Sequence, residues 1–549
     1  MESILLILLL PVAGLAFVRF WWRLPSLEGR TPPAPAMDTT ATRLGRAICG
    51  RVAANPGHSG FHALADGEDA FGARVLLAEA AERTLDVQYY LWRNDMSGSL
   101  LFGALLAAAD RGVRVRLLLD DINTVVLDGI LAALDAHPNI EVRLFNPVVL
   151  RRLRVLGYLT DFFRLNRRMH NKSFTADGQA TIIGGRNIGD EYFGAAAGTL
   201  FADLDVLAIG PIADEVAADF GGYWSSASAY PVDRLLPQGD PVALSRSLSR
   251  EALGARFPEV EAYVDGIAHS PFVHELLEGR LRMEWAPARM ISDDPAKGLG
   301  LAGRRTQVAY KLGQAIGRPA SDMKIVSPYF VPTASGVASF AAMAARGVRI
   351  SVLTNSLEAT DVAAVHAGYA RHRKPLLEMG VTIYETRRSA APPRPRRRTR
   401  RGIRAGWMRI LRTGRAPGAA GVPVAGGSGA IGSAGRMGLS GSSLHAKTIS
   451  VDGARAFVGS FNFDPRSEKL NTELGFLIES EALAQRIGAI FAESVQTSAY
   501  QVHLAADGTL YWTEWRDGKL VRHDREPGTT VWKRASVAFL AVLPIEWLL

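Results

Sequence analysis

Two histidines, His170 and His445, each stand two residues before a lysine and seven before an aspartate. The first copy reads His170-Asn171-Lys172, Asp177, then Gly184-Gly185-Arg186-Asn187; the second reads His445-Ala446-Lys447, Asp452, then Gly459-Ser460-Phe461-Asn462. The asparagine falls seventeen residues after the histidine in both. One such match is weak, but two copies sharing a second spacing indicate a duplicated half-site. Histidine can act as nucleophile or proton donor near neutrality. On a strand, residues two apart share a face, so the ammonium lies beside whatever the imidazole attacks. A lysine there suits a phosphate oxygen, because it supplies fixed positive charge. Asn187, Asn462 and Ser460 are the candidates for cradling that phosphate. Gly185 stands where the second copy has Ser460, so the two cradles are not equivalent. Two half-sites face to face set imidazoles on opposite sides of one phosphorus, one attacking in line while the other protonates the leaving alcohol.

The stretches that must position these residues recur in the same order. In the first half, helical spacing at 70–83 precedes an alternating strand at 85–92, a helix at 100–110 and the Arg111-Gly112-Val113 turn into a strand ending at Asp120. A helix at 127–136 and a strand at 140–145 lead to His170. The second half repeats this with a helix at 308–316, a strand at 323–329, a helix at 335–345, Arg346-Gly347-Val348 into a strand, a helix at 363–379 and a strand at 381–384. The chain is an internal duplication. Residues 386–440 interrupt the second copy as an Arg/Pro-rich then Gly/Ala/Ser-rich insertion that cannot bury a core and is expected to be disordered. Within it, Gly402 to Arg412 reads either as a basic amphipathic helix for an anionic membrane or as a solvated charge run.

At 549 residues, two or more domains are expected. The single cysteine, Cys49, excludes an intramolecular disulfide, and no Cys/His cluster offers a metal site. The net charge of +9 is local: twelve arginines and no acid lie between Arg387 and Arg415, and without them the balance is −3. A nucleic-acid binder with a basic stripe is therefore disfavoured. Ile4 to Val18 is an uncharged apolar run followed by Arg19, Phe20, Trp21, Trp22 and Arg23, which favours a membrane anchor over a signal peptide or a buried helix. The expected organisation is an anchor (1–24), a linker (25–59), the first half (60–225), a connecting helical segment (226–300), the second half (301–500) and a C-terminal β-hairpin with an apolar tail (501–549).

This constellation resembles the phospholipase D superfamily from about Gly60 to Gln496. Within it the likeness is to bacterial cardiolipin synthases, in particular the branch ending Leu-Pro-Ile-Glu, here Leu543-Pro544-Ile545-Glu546. Other stretches carrying the likeness are Leu85 to Tyr90, Thr354-Asn355-Ser356 with Thr360-Asp361, Val365 to Tyr369, and Gly459 to Ser467. The resemblance implies an α/β fold of two pseudo-twofold-related halves, each a mixed β-sheet flanked by helices, with the active site at their interface. It implies catalysis by the two motifs His170, Lys172, Asp177 and His445, Lys447, Asp452, through a phosphohistidine and without metal or other cofactor. Asp177 and Asp452 lie in Asp-Gly hairpin turns and are expected to bond the turn or neighbouring backbone rather than move protons. The family also places an acid some thirty residues after each histidine to orient the imidazole; aligning 201–205 with 470–473 makes Asp205 and Glu473 the candidates. His366 either lines the substrate cleft or is an ordinary satisfied histidine.

The implied activity is a phosphatidyltransferase that makes cardiolipin. In the usual family order His170 attacks a phospholipid and His445 protonates the leaving alcohol, then activates phosphatidylglycerol as acceptor; the symmetry of the two sites also allows the reverse order. The donor is phosphatidylglycerol or phosphatidylethanolamine, and the setting is a bacterial inner membrane with the body on the cytoplasmic side. Two alternatives stand beside it: a lipid hydrolase releasing phosphatidic acid, and a phospholipase D-like nuclease.

Overall fold

The computed structural model describes residues 21, 23–30, 37–151, 153–195, 201–388, 443–543 and 548. The apolar run Ile4–Val18, the stretch Gly402–Arg412 and Pro544-Ile545-Glu546 lie outside them. In the first half the strands are β1 (Ser59–Leu64), β2 (Thr84–Tyr89), β3 (Arg114–Asp120), β4 (Ile140–Phe145), β5 (Ser173–Ala176), β6 (Ala180–Gly184), β7 (Phe201–Ala202), β8 (Asp205–Ile209), β9 (Ala229–Pro231) and β10 (Glu284–Ala286). The second half contributes β11 (Ala288–Ser292), β12 (Asp322–Val326), β13 (Arg349–Asn355), β14 (Thr382–Thr386), β15 (Ser443–Leu444), β16 (Thr448–Val451), β17 (Arg455–Gly459), β18 (Leu474–Ile478), β19 (Ala499–Leu504), β20 (Leu510–Arg516) and β21 (Lys519–His523).

Among the described residues these form a nine-stranded sheet, β10-β1-β8-β6-β5-β2-β3-β4-β9, and a ten-stranded sheet, β11-β18-β17-β16-β12-β13-β14-β19-β20-β21. Eight consecutive strands correspond one to one, from β1 with β11 through to β9 with β19. In each half three parallel strands (β2-β3-β4, β12-β13-β14) lie beside antiparallel ones. The parallel strands read as apolar runs such as Val115-Arg116-Leu117-Leu118-Leu119 because helices cover them. The turns entering β3 and β13 need a left-handed residue, supplied by Gly112 (φ +92°) and Gly347 (φ +81°). One residue, Pro287, separates β10 of the first sheet from β11 of the second. Side chains from both halves share one core, in which Phe61, Ile183 and Val206 join Leu353, Val458 and Phe476.

The connecting segment 226–300 carries four short helices, Pro241–Ser247, Arg250–Arg256, Val260–Ala268 and Pro271–Leu277, and also the strands β9, β10 and β11 that belong to the two sheets. Three expectations are corrected. The span 25–59 carries a helix, Arg43–Ala53, whose first turn is capped by Thr42 accepting from Gly45 N–H. The helix expected at 363–379 is two, Ala363–Ala370 and Arg373–Glu378; Pro375 lacks the N–H that a continuous helix would direct at Arg371. The C-terminal segment, expected as a β-hairpin with an apolar tail, is three strands, β19 to β21, at the edge of the second sheet, followed by helix Val531–Val542. That helix buries Val537 beside Leu357 and Ala367 but leaves Trp532, Phe539 and Val542 exposed.

Candidate active site

The two His-x-Lys segments immediately precede β5 and β16, and backbone hydrogen bonds stitch each to the opposite half. The amide of His170 donates to Thr472 O at 2.9 Å, and that of Thr472 to Arg168 O at 2.9 Å. The amides of His445 and Ala446 donate to Ala202 O at 2.8 and 3.0 Å, beside the parallel pair β7–β15. Each stitch delivers the next residue's carboxylate to an imidazole. His170 Nδ1 lies 2.8 Å from Glu473 Oε2, and His445 Nδ1 lies 2.5 Å from Asp203 Oδ2. The halves have exchanged acids, so neither contains a complete site.

Asp203 therefore replaces Asp205 in the role read from the alignment. Gly184 pairs with Asp205 across β6–β8, whereas Gly459 pairs with Gly475 across β17–β18. Counting back two residues from each pairing makes Asp203 the counterpart of Glu473. The Asp205 carboxylate instead accepts from Arg74 Nη2 at 2.8 Å and from the Arg186 amide at 3.1 Å, fully buried. It braces the first half from within.

The motif aspartates lie at the far ends of their hairpins. Asp177 (φ +52°) and Asp452 (φ +54°) are each followed by a left-handed glycine. Asp177 accepts from the amides of Arg83 and Thr84 at 2.8 and 2.9 Å, at the entry to β2. Asp452 accepts from Ala320, Ser321 and Asp322 at 3.0, 2.7 and 3.1 Å, at the entry to β12. Both bind the hairpin to the central strand and neither lines the cavity.

His170 and His445 both line a cavity of about 780 Å3, together with Asn187, Asn462, Tyr90, Tyr192, Tyr329, Asp361 and Arg466. Lys172 Nζ donates to His170 O at 2.6 Å and sits 5.4 Å from the centre of the Tyr90 ring. Lys447 Nζ lies 3.0 Å from His445 Nδ1. Edge-on aromatic contacts fix both imidazoles: Tyr90 on His170 at 4.9 Å and Tyr192 on His445 at 5.2 Å between ring centres. With Nδ1 donating to a carboxylate, Nε2 on the opposite edge of each ring is the reactive nitrogen.

The electrostatics distinguish the two histidines. Burial pushes the His170 imidazole well below its usual value, and Lys172, Lys447 and His445 push the same way, so it rests neutral with a free lone pair. Burial and Lys447 also lower His445, but Asp203 opposes them through charge and hydrogen bond. The burial of Asp203 itself is outweighed by His445, Lys447 and Arg186, which hold its carboxyl at about 2. Glu473 goes the other way: burial raises it to about 7 against Lys172. The lysines are also pushed down by burial, Lys172 to about 7 and Lys447 to about 8, although Glu473 and Asp203 respectively pull them up. An arriving phosphate anion completes their charging.

Asn187 and Asn462, both buried, each have a side-chain Oδ1 without a hydrogen-bond partner among the described residues. Asn187 Nδ2 meets the Tyr192 hydroxyl at 3.0 Å. Turning that amide over lets the hydroxyl donate to Oδ1 and frees Nδ2 for a phosphate oxygen. Ser460 does not face the cavity as expected; its Oγ donates to Glu473 Oε2 at 2.5 Å. His366 is buried beside Glu526 at 3.1 Å, while its neighbours Ala364 and Val365 line the cavity. Sequence reasoning passed over Tyr90, Tyr192, Tyr329 and Arg466 as site residues, because scattered aromatics and a lone arginine carry no spacing. Among the described residues, no group of His, Cys, Asp and Glu is arranged to hold a metal ion.

Comparison with known proteins agrees with this construction. The family described as "Cardiolipin synthase, PLD-like domain" matches residues 75–224 and 418–495. The chain is 49% identical to "Cardiolipin synthase C" of Escherichia coli (strain K12) over 514 residues, covering 92% of this chain and 100% of that one. It is 22% identical to "Major cardiolipin synthase ClsA" of Bacillus subtilis (strain 168), covering 79% of this chain and 68% of that one. Among solved structures, a phosphatidylserine synthase of Haemophilus influenzae Rd KW20 shares the fold with a TM-score of 0.54 at 12% identity, over 92% of this chain and 100% of that chain. The doubled His-x-Lys strands, their interface cavity and this likeness over nearly the whole length agree: the chain belongs to the cardiolipin synthase family of phospholipase D-like enzymes.

Proposed function

We propose that the protein makes cardiolipin by moving a phosphatidyl group onto phosphatidylglycerol through a covalent phosphatidyl-histidine on His170. The observation that carries this reading is the exchanged pair, two imidazoles in one cavity, each oriented by a carboxylate from the other half. In the first step His170 Nε2 attacks phosphorus and the P–O bond to the head-group alcohol breaks. His445 gives its Nε2 proton to that oxygen. In the second step His445 takes the proton of the phosphatidylglycerol terminal hydroxyl, the new P–O bond forms and the P–N bond breaks. Lys172, Lys447, Asn187 and Asn462 hold the phosphate oxygens throughout. Assigning His170 as nucleophile is supported by the positive charge of Lys172 and Lys447 beside it, which favours the neutral imidazole, while Asp203 favours a proton on His445.

Two phosphatidylglycerol molecules, or phosphatidylethanolamine as donor, satisfy this chemistry equally. The enzyme works at the bacterial inner membrane with its body on the cytoplasmic side; the apolar run Ile4–Val18 and the following Arg19 and Arg23 support this. The test is mass spectrometry of products from purified protein in mixed micelles of phosphatidylglycerol and phosphatidylethanolamine, beside His170→Ala. Cardiolipin that disappears in the variant is expected, and the released alcohol, glycerol or ethanolamine, names the donor. Phosphatidic acid alone would make it a hydrolase, and no lipid turnover would overturn the reading.

A further inference from the structure

Helix Arg154–Leu165, five residues before His170, points its apolar side outward. Val155, Leu159 and Phe163 are 74%, 64% and 77% exposed, at four-residue intervals, with Leu156 and Phe162 beside them at 36% each. A kink at Asp161 (φ −141°) leaves the exposure on both sides of it intact. A helix on the surface of a water-soluble body turns such a stripe inward; this one buries Gly157 and Leu165 instead. Both ends of the helix adjoin the cavity. Arg154 Nη1 donates to Asp121 O and Ile122 O at 2.7 and 3.3 Å, next to cavity-lining Asn123. Asn166, which ends the helix, accepts from cavity-lining Arg466 at 3.0 Å.

We infer that this helix docks on the lipid bilayer, apolar face down, and sets the mouth of the cavity against the membrane surface. What covers the stripe is indicated by where the chain enters the fold. Leu24 lies in a groove with Val148, Gly157 and Leu165, against this same helix, and the sequence preceding it is the uncharged run Ile4–Val18. Two arginines beside the stripe are engaged with acids, Arg151 with Asp121 at 2.5 Å and Arg164 with Asp161 at 2.6 Å, and Arg167 is turned to the Lys469 carbonyl at 3.1 Å. Attachment therefore rests on apolar area and survives salt, unlike docking of a polyanion.

The inference rests on the lipid reading and deepens it, and its first test does not use turnover. In full-length protein with Cys49→Ser, a single Phe163→Cys carries an environment-sensitive fluorophore, with Glu251→Cys as an exposed polar reference. The labelled chains are placed in vesicles of phosphatidylglycerol and phosphatidylethanolamine containing a spin-labelled quencher lipid. The probe at 163 is expected to shift to the blue and to be quenched about threefold more than that at 251, at low and high salt alike. A probe at 163 that stays in water while the chain floats with vesicles overturns the inference. So does a blue-shifted probe that lipid cannot quench, since protein then covers the stripe. As a second arm, Leu159→Glu with Phe163→Glu should lower turnover on vesicles by about tenfold and leave turnover of a short-chain soluble substrate unchanged. Equal turnover on vesicles overturns the inference. Quenching at 163 without any lipid transfer would sink the activity reading and leave the docking face standing.

Discussion

A side chain at Gly185 has nowhere to go: a Cβ there would stand 2.1 Å from Oδ1 of Asp203. The glycine is thus the reason Asp203 can reach His445, and the two cradles differ because the shorter aspartate must come closer than Glu473 does. Gly185→Ser, although it copies the residue of the other half, should displace Asp203 and cut kcat on the order of a hundredfold or more. Ser460→Gly removes one hydrogen bond to Glu473 and should cost about tenfold or less. Comparing kcat and Tm of the two variants checks the asymmetry.

Asp203→Asn and Asp205→Asn should fail in different ways. The first leaves the fold intact and loses the charge that favours protonated His445, lowering kcat by about 100- to 10,000-fold. The second leaves Arg74, 1% exposed in its side chain, without its charged partner. A stability loss of about 3 kcal/mol or more is expected, seen as a lower denaturation midpoint. Equal Tm losses in both would contradict the assignment.

Activity should depend on pH asymmetrically. Burial and the two lysines hold His170 well below 6.5, but burial holds Glu473, which accepts from its Nδ1, at about 7, so the acid limb of kcat/KM follows Glu473 rather than His170. Lys172 at about 7 and Lys447 at about 8 are charged below that window and neutral above it. Phosphate binding is therefore lost as pH rises through 7–8, and KM climbs. A bound anion raises both ammoniums, so kcat should hold to higher pH than kcat/KM. Lys172→Arg, with a side chain that never deprotonates, should remove one alkaline ionisation even though its own rate is lower.

Asp177→Ala tests a purely structural role. Three backbone amides, of Glu82, Arg83 and Thr84, would lose their acceptor. A destabilisation of about 2–4 kcal/mol is expected, with kcat per folded molecule unchanged. A variant that folds at wild-type stability but is inactive would return Asp177 to the chemistry.

Much of this arrangement was legible because duplication writes everything twice. The His-x-Lys pairs, the Asp-Gly turns and the Arg-Gly-Val entries to β3 and β13 each appear at two places with matching offsets, so spacing alone locates them. Asp203 was misread for the complementary reason. The loop between β6 and β8 is five residues longer than that between β17 and β18, since Gly184 pairs with Asp205 and Gly459 with Gly475. Counting the second half's offset from His170 falls five residues short of the right acid, whereas strand register finds it. The exchange of Asp203 and Glu473 between halves was not legible at all, because it is set by how two sheets meet. Nor was the outward face of helix Arg154–Leu165, since an apolar stripe reads the same whether it meets a core or a solvent.

The single-residue passage at Pro287 and the core shared by both sheets have a mechanical consequence. Two bodies joined by a long tether can open like a clamshell to admit a bulky molecule. Here Phe61 meets Phe476 edge-on at 6.0 Å between ring centres, within one continuous apolar packing, so parting the halves means unfolding their seam. A substrate with long acyl chains must enter by its head group, with its tails left outside. Variants that loosen the seam should lose the fold before they gain speed.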